Sequence, residues 1–483
     1  AGPGRELPAP GPFSPAEKGV TSAPDGGKIE GISPAKGGSS MWAETSVLYQ
    51  IYPLGLCGAP AENDGRVEHR LERLNDWLPH LERLGVDAVL FNPLFQSDRH
   101  GYDTRDFTQV DCRLGTNEDF RQLCEALRAQ GIRVLLDGVF HHVGRGFWAF
   151  QDVLRQRENS PYLGWFYIDL GRDNGYHDGL WYEGWEGHYE LVKLNLSNPQ
   201  VREHLFSCVR GWVEQFGIDG LRLDVAYCMD RDFLRALRDF CKGLKPDFFL
   251  FGEILGGDYR TIVGEGMLDS CTNYECYKGL YSSFNDANLF EINYSLNRQF
   301  SDDPYAIYKG LHLVSFADNH DVTRLATILR EKRHLPLAYT LLFTMPGIPC
   351  LYYGSEWGIQ GDKRDGDHAL RPALERPEEN ELTGLIAALA RMRRGSGALC
   401  RGGYRTVHIA NRQLAFLREW AGERVLTAIN LDANDCDIPL PGLAGEAEEL
   451  LSGTPCRLEG RQHLPAFSAR VWRLRETREE NNR

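Results

Sequence analysis

Four short segments carry ionisable side chains at spacings that could do chemistry. They are Asp137 in RVLLDGVF, Arg222 with Asp224 in GLRLDVA, Glu253 in FFLFGEI, and His320 with Asp321 in FADNHD. Arg222 and Asp224 are two residues apart, so on an extended strand both point to the same side. An Arg beside an Asp favours the ionised carboxylate, the form a nucleophile needs. Glu253 follows an almost wholly apolar run, where desolvation favours the protonated carboxyl of a general acid. One ionised and one protonated carboxyl on adjacent strands suit a retaining glycosidase, which holds them roughly 5–5.5 Å apart. A single Asp at a strand end is more often a turn or cap residue. Four ionisable strand ends in register make catalysis the stronger reading.

The elements that must position these groups are short β-rich runs alternating with helical stretches. The runs are 47–54, 87–94, 133–140, 220–226, 248–254, a weak segment at 269–276, 312–320 and 348–356. Between them, 117–131 is predicted as a helix with Asn117 as N-cap and Gly131 as its stop. Repeated strand–helix units imply a parallel sheet, and eight of them imply a (β/α)8 TIM barrel with chemistry at the carboxyl ends of the strands. An open doubly wound sheet is the alternative, but no glycine-rich phosphate loop follows the first strand. The barrel is expected over 41–140 and 197–400. About 80 residues separate Phe140 from Gly220, far beyond an ordinary βα loop. With 199–216 read as helix, 141–196 becomes an inserted subdomain after strand 3. Twelve aromatics fall within 142–190, among them Trp148, Trp165, Trp181, Tyr182 and Trp185. They suit either the flat faces of sugar rings or a small core of the insert, and both uses can hold for different rings. From 401 to 476 the pattern alternates, as in RTVHIANRQLAFLREW, and predicts a C-terminal antiparallel β-sandwich domain.

Residues 1–40 hold seven Pro and nine Gly and almost no large apolar side chains. Such a segment cannot offset its ordering entropy, so it is predicted as a disordered tag or linker, with the natural chain beginning at Met41. Residues 477–483 are expected to be a solvated tail. The 54 basic and 68 acidic residues give a net charge of −14 without a basic stripe, which disfavours nucleic acid as a partner. No apolar run is long enough to span a bilayer. None of the twelve cysteines forms a C-x-x-C pair. That pattern fits reduced thiols of a cytoplasmic protein better than disulfides or a zinc site.

The segments DGVFHH (137–142), GLRLDVA (220–226), GEI (252–254) and FADNHD (316–321) together resemble, in order, the signature regions of the α-amylase family of glycoside hydrolases (family 13). The resemblance implies Asp224 as nucleophile, Glu253 as acid/base and Asp321 as transition-state stabiliser. It also implies a substrate-binding set of Tyr102, Asp137, His142, Arg222, His320 and Arg371, with Tyr102 stacking on the sugar. Within the family, 86–108, 191–195 and 217–238 look most like cyclomaltodextrinases, neopullulanases and maltogenic amylases. The expected reaction is retaining hydrolysis of α-1,4-glucosidic bonds in cyclodextrins and linear maltodextrins, with transglycosylation when a sugar hydroxyl replaces water. Alternatives are an α-amylase or neopullulanase acting on starch or pullulan, a 4-α-glucanotransferase, and, remotely, an inactive scaffold. Members of that group carry an N-terminal β domain, which is not expected to contribute to dimerisation here. Tyr227-Cys228 replaces their usual Asn-Glu after the nucleophile motif. His141 replaces an Asn that binds calcium in many members, and its nitrogen is a ligand calcium disfavours. No cofactor and no calcium at His141 are therefore expected.

Overall fold

The computed structural model describes residues 41–264 and 266–475. The expected tag and the expected tail lie outside the described residues. Eight parallel strands form one sheet: β1 Leu48–Ile51, β2 Ala88–Phe91, β3 Arg133–Gly138, β4 Gly220–Leu223, β5 Phe249–Gly252, β6 Ser270–Cys271, β7 Val314–Phe316 and β8 Ile348–Tyr352. Their spatial order is β6-β5-β4-β3-β2-β1-β8-β7. A parallel bridge between Thr272 and Val314 joins the two outer strands, so the sheet closes into the predicted barrel. The weak run at 269–276 gives a strand of only two residues, because Asn273 then caps a helix and accepts from the Cys276 N–H at 3.1 Å.

The strands read as continuous apolar runs because both faces are buried. Leu48, Ala88, Leu135, Phe249 and Ile348 point into the barrel and form its inner core. Their neighbours Tyr49, Val89, Leu136 and Leu250 point outward under the helices. Those helices are α1 Leu78–Leu84, α2 Asn117–Ala129, α3 Pro199–Phe216, α4 Arg231–Leu244, α5 Tyr274–Asn285, α6 Phe290–Phe300, α7 Leu335–Thr344 and α8 Glu381–Arg394. The N-cap of α2 is Thr116, not Asn117. Thr116 and Asp119 form a reciprocal capping box, while the Asn117 side chain accepts from the Val110 N–H at 2.8 Å. Gly131 follows the helix with φ 75°, the left-handed turn that glycine takes without strain.

The segment between β3 and α3 folds over the carboxyl end of the barrel strands. Its three-stranded sheet pairs His188–Lys193 with His142–Gly144 and with Gly184–Trp185. Glu186 and Gly187, both at positive φ, make the tight turn that presents Trp185 at the tip of this hairpin. Toward the C-terminus, β9 Arg405–Ile409, β10 Gln413–Trp420, β11 Glu423–Asn430, β12 Cys436–Glu449, β13 Thr454–Leu464 and β14 Ser468–Leu474 form one antiparallel sheet ordered β9-β10-β11-β14-β12-β13. This is a single curved sheet, not the two facing sheets of a sandwich. A register shift between Pro439 and Ala444 bends the long β12–β13 hairpin. The bend lets Ala415, Leu417, Leu426, Ala428 and Trp472 bury one another on one face. Alternate residues Leu414, Phe416, Val425 and Val471 join the main core on the other face. The fully buried Arg418 clasps this sheet to the barrel by donating to the Thr344 carbonyl at 2.7 Å, at the end of α7.

Candidate active site

Register brings the first charges together. Arg222 on β4 lies opposite Asp137 on β3 and Phe251 on β5. Paired residues of neighbouring strands project to the same face, so Arg222 and Asp137 meet inside the barrel mouth. Arg222 Nη1 contacts Asp137 Oδ2 at 2.5 Å and Asp224 Oδ1 at 3.2 Å, while Nη2 lies 3.1 Å from Glu253 Oε1. All four side chains are buried. Asp224 and Glu253 leave their strands just past the last rungs, held by N–H bonds to Gly138 O (3.2 Å) and Leu223 O (2.9 Å). Val225, the residue after Asp224, is left-handed at φ 42° and gives its N–H to Glu253 Oε2 at 3.1 Å. A β-branched residue in that region is strained, and the strain turns a backbone donor onto the carboxyl.

Asp321 forms the opposite wall. Its Oδ1 accepts from Arg371 Nη2 at 2.9 Å, and its Oδ2 lies 2.9 Å from His320 Nε2. Arg371 Nε also donates to the His320 carbonyl at 3.1 Å. Tyr102 stacks on the His320 ring at 5.7 Å, and its hydroxyl bonds both His320 Nε2 and Asp137 Oδ2. Gln50 Nε2 reaches His320 Nδ1 at 2.9 Å and Asn92 Oδ1 at 2.8 Å, and Asn92 Nδ2 donates to Asp137 Oδ2 at 3.0 Å. His142 Nε2 stands 3.9 Å from Asp224 Oδ2. That nitrogen and Asp137 Oδ1 are buried without a hydrogen-bond partner, so each keeps an unused hydrogen-bonding valence.

Electrostatics divides the carboxyls. Burial alone would raise Asp321, but the His320 imidazole and the Arg371 and Arg222 guanidiniums outweigh it and hold this carboxyl well below the usual range. Burial pushes Asp224 well above the usual range; Arg222 opposes that push, while the neighbouring Glu253, Asp137 and Asp321 add to it. This reverses the shift expected for Asp224. Arg222 is shared among three carboxyls and sits closest to Asp137, so its charge is not Asp224's own. Burial drives His142 well down, leaving a neutral imidazole beside Asp224.

All the residues singled out from the sequence, Tyr102, Asp137, His142, Arg222, Asp224, Glu253, His320, Asp321 and Arg371, gather at this one mouth. Gln50, Asn92 and Tyr274 were not singled out. Gln50 and Asn92 show a faint signal as polar residues within or ending apolar strands, and Tyr274 shows none. Of the insert's aromatics, Phe147, Phe150, Trp165, Phe166 and Tyr182 are core. Trp185 instead reaches the site, 6.0 Å from the His142 ring, with its indole N–H buried and unpartnered. At His141, Nδ1 lies 3.3 Å from His142 Nδ1. Among the described residues, the one trio able to close on a cation is His69, Glu72 and Asp119, none of them at this site.

Comparison with known proteins agrees with this geometry. The model of the α-amylase catalytic domain matches residues 50–381, and that of the maltogenic amylase C-terminal domain matches 404–471. A cyclomaltodextrinase from Bacillus sp is 32% identical over 413 residues, which is 81% of this chain and 73% of the relative. Neopullulanase 2 from Thermoactinomyces vulgaris is 33% identical, over 80% of this chain and 70% of its own. Among solved structures, the cyclic alpha-maltosyl-(1→6)-maltose hydrolase from Arthrobacter globiformis superposes with a TM-score of 0.78 at 28% identity, covering 90% of this chain and 100% of that one. The chain belongs to the α-amylase family of glycoside hydrolases, within its cyclomaltodextrinase, neopullulanase and maltogenic amylase group.

Proposed function

We propose that this enzyme opens α-1,4-glucosidic bonds of cyclodextrins and short linear maltodextrins by double displacement. Asp224 is the nucleophile, Glu253 the acid/base and Asp321 the stabiliser of the transition state. The observation that carries the reading is one guanidinium, Arg222, within 3.2 Å of both Asp224 and Glu253, with Asp321 held ionised on the opposite wall.

In the first step Glu253 gives its proton to the glycosidic oxygen as that oxygen leaves C1, and an Asp224 oxygen bonds to C1. Net proton occupancy of the cluster matters here. Burial raises Asp224 among carboxyls that share Arg222, which favours a retained proton within this coupled cluster. The double displacement needs that proton on Glu253 and an ionised Asp224 when the glycosidic oxygen leaves. In the second step water gives a proton to ionised Glu253 and its oxygen to C1, which releases Asp224 and keeps the α configuration. Asp321, fixed by Arg371, binds ring hydroxyls more tightly as the ring flattens.

Preference for small or cyclic chains is supported by the insert, whose hairpin brings Trp185 against His142 and walls one side of the mouth. A cyclic substrate has no free end and must be gripped across its rings. The full-length match to a hydrolase of a cyclic tetrasaccharide favours a second reading, in which small rings containing α-1,6 links are also opened. Twelve unpaired cysteines suit a reducing compartment, and cytoplasmic action is part of the proposal. Reducing-sugar release from α-, β- and γ-cyclodextrin, maltohexaose and starch, measured side by side, tests the reading. Cyclodextrins should be opened at least as fast as starch is cut. A kcat/KM on starch tenfold above all three rings would make this an ordinary α-amylase.

A further inference from the structure

Tyr274 opens α5, two residues after Thr272, where the barrel closes against β7. Its ring packs edge-on against Phe316 at 4.9 Å and Tyr277 at 5.9 Å, which fixes where its hydroxyl points. That oxygen lies 3.4 Å from Glu253 Oε1. On its other side it accepts from Asn319 Nδ2 at 3.1 Å, and Asn319 Oδ1 accepts from the Asp321 N–H at 2.8 Å. Direction follows from the donors. The Asp321 N–H can only donate, so it sets Asn319 Oδ1 toward itself and the amide NH2 toward Tyr274. With the amide donating to the phenol oxygen, the phenol's own proton is left to point at Glu253. Burial keeps that proton on the phenol by pushing Tyr274 well above its ordinary range, and the facing Glu253 and Asp321 push the same way.

We infer that Tyr274 and Asn319 are positioning residues of the acid/base, forming a one-way hydrogen-bond path from the Asp321 backbone through Asn319 and Tyr274 to Glu253. The inference rests on the proposed role of Glu253. Glu253 Oε1 then has two donors, Arg222 and Tyr274, and Oε2 has the Val225 N–H. When Glu253 releases its proton to the leaving oxygen, the new charge meets three donors already in place, so little reorganisation accompanies the transfer. Tyr274 gives up no proton in this cycle. The path also links the loop bearing Asp321 to the acid/base, so displacement of one carboxyl disturbs the other. Charged or titratable groups also facing this cluster are Arg222, Asp224 and Asp137 from the barrel strands, Tyr227 from the loop after β4, and Asp321.

The test is Tyr274→Phe, which keeps the ring packing and removes only the hydroxyl, with Asn319→Ala and the double variant beside it. Without the donor, proton release from Glu253 is harder. The basic limb of the kcat/KM profile on maltohexaose should therefore move to higher pH by at least about half a pH unit. Rates on an aryl maltoside with a good leaving group should suffer less than rates on maltohexaose. Asn319→Ala should move the limb in the same direction, and the double variant should add little to Tyr274→Phe. A basic limb that stays in place or moves down, with equal loss on both substrates, would overturn the inference. The reading of Glu253 itself fails separately, if Glu253→Gln keeps more than a tenth of the activity.

Discussion

Arg222 Nη1 lies 2.5 Å from Asp137 Oδ2, nearer than it comes to Asp224 or Glu253. Asp137 thus anchors the cation that the two proposed catalytic carboxyls share, and it also holds Tyr102 and Asn92. Asp137→Ala should lower kcat/KM at least about 100-fold, and leaving the buried cation short of its nearest partner should cost about 3–5 kcal/mol. Thermal melts and steady-state kinetics check both; an unchanged melting temperature would remove the anchoring role.

Asp224→Asn and Glu253→Gln should each cut turnover by several orders of magnitude while the melting temperature stays near wild type. The product released by the unmodified enzyme should appear first as the α anomer in proton NMR of early time points. Initial β anomer would rule out double displacement.

Buried histidines make stability depend on pH. Burial, aided by Lys193 and opposed by Glu183, lowers His141 to about 4, and burial takes His142 well below its ordinary value. An unfolded chain takes up these protons near pH ~6.5, whereas the folded chain refuses them until much lower pH. The stability they confer is therefore complete above pH ~6.5 and is lost as pH falls toward 4. His141→Asn should flatten the decline in melting temperature between pH 7 and pH 4.5, recovering on the order of 2–3 kcal/mol at the acid end. A parallel decline in variant and wild type would exclude His141 as a source.

Excess EDTA is expected to leave activity and melting temperature unchanged, since a buried, neutral imidazole occupies position 141. A loss restored by calcium would contradict this.

Arg113 is a structural counterpart to Arg222. It is 1% exposed, pairs with Asp111 through Nη2 at 2.7 Å, and donates through Nη1 to the carbonyls of Pro60, Ala61 and Arg99. Those bonds gather the loop that presents Tyr102. Arg113→Ala should destabilise the fold by about 3–5 kcal/mol and raise KM more than it lowers kcat. Calorimetry with substrate titration would show whether the Tyr102 loop loosens.

Much of this enzyme can be read from its residues in order. The eight apolar runs, their helical spacers and the carboxyls at their ends follow from local patterning, because a strand buried on both faces leaves a continuous apolar signature. The alternation at 401–476 likewise announces an antiparallel sheet. Pairing across long sequence separations was not legible. That Thr116 rather than Asn117 caps α2 depended on the Val110 N–H claiming the Asn117 side chain. That the C-terminal strands make one sheet depended on β14 pairing with both β11 and β12. Arg222 and Asp224 are neighbours in sequence, yet the guanidinium goes chiefly to Asp137, 85 residues away. Burial therefore pushes Asp224 up, and the shared Arg222 offsets it only in part. Strand register decides which residues face each other, and burial then decides which form of each ionisable group survives; neither quantity is local to a stretch of sequence.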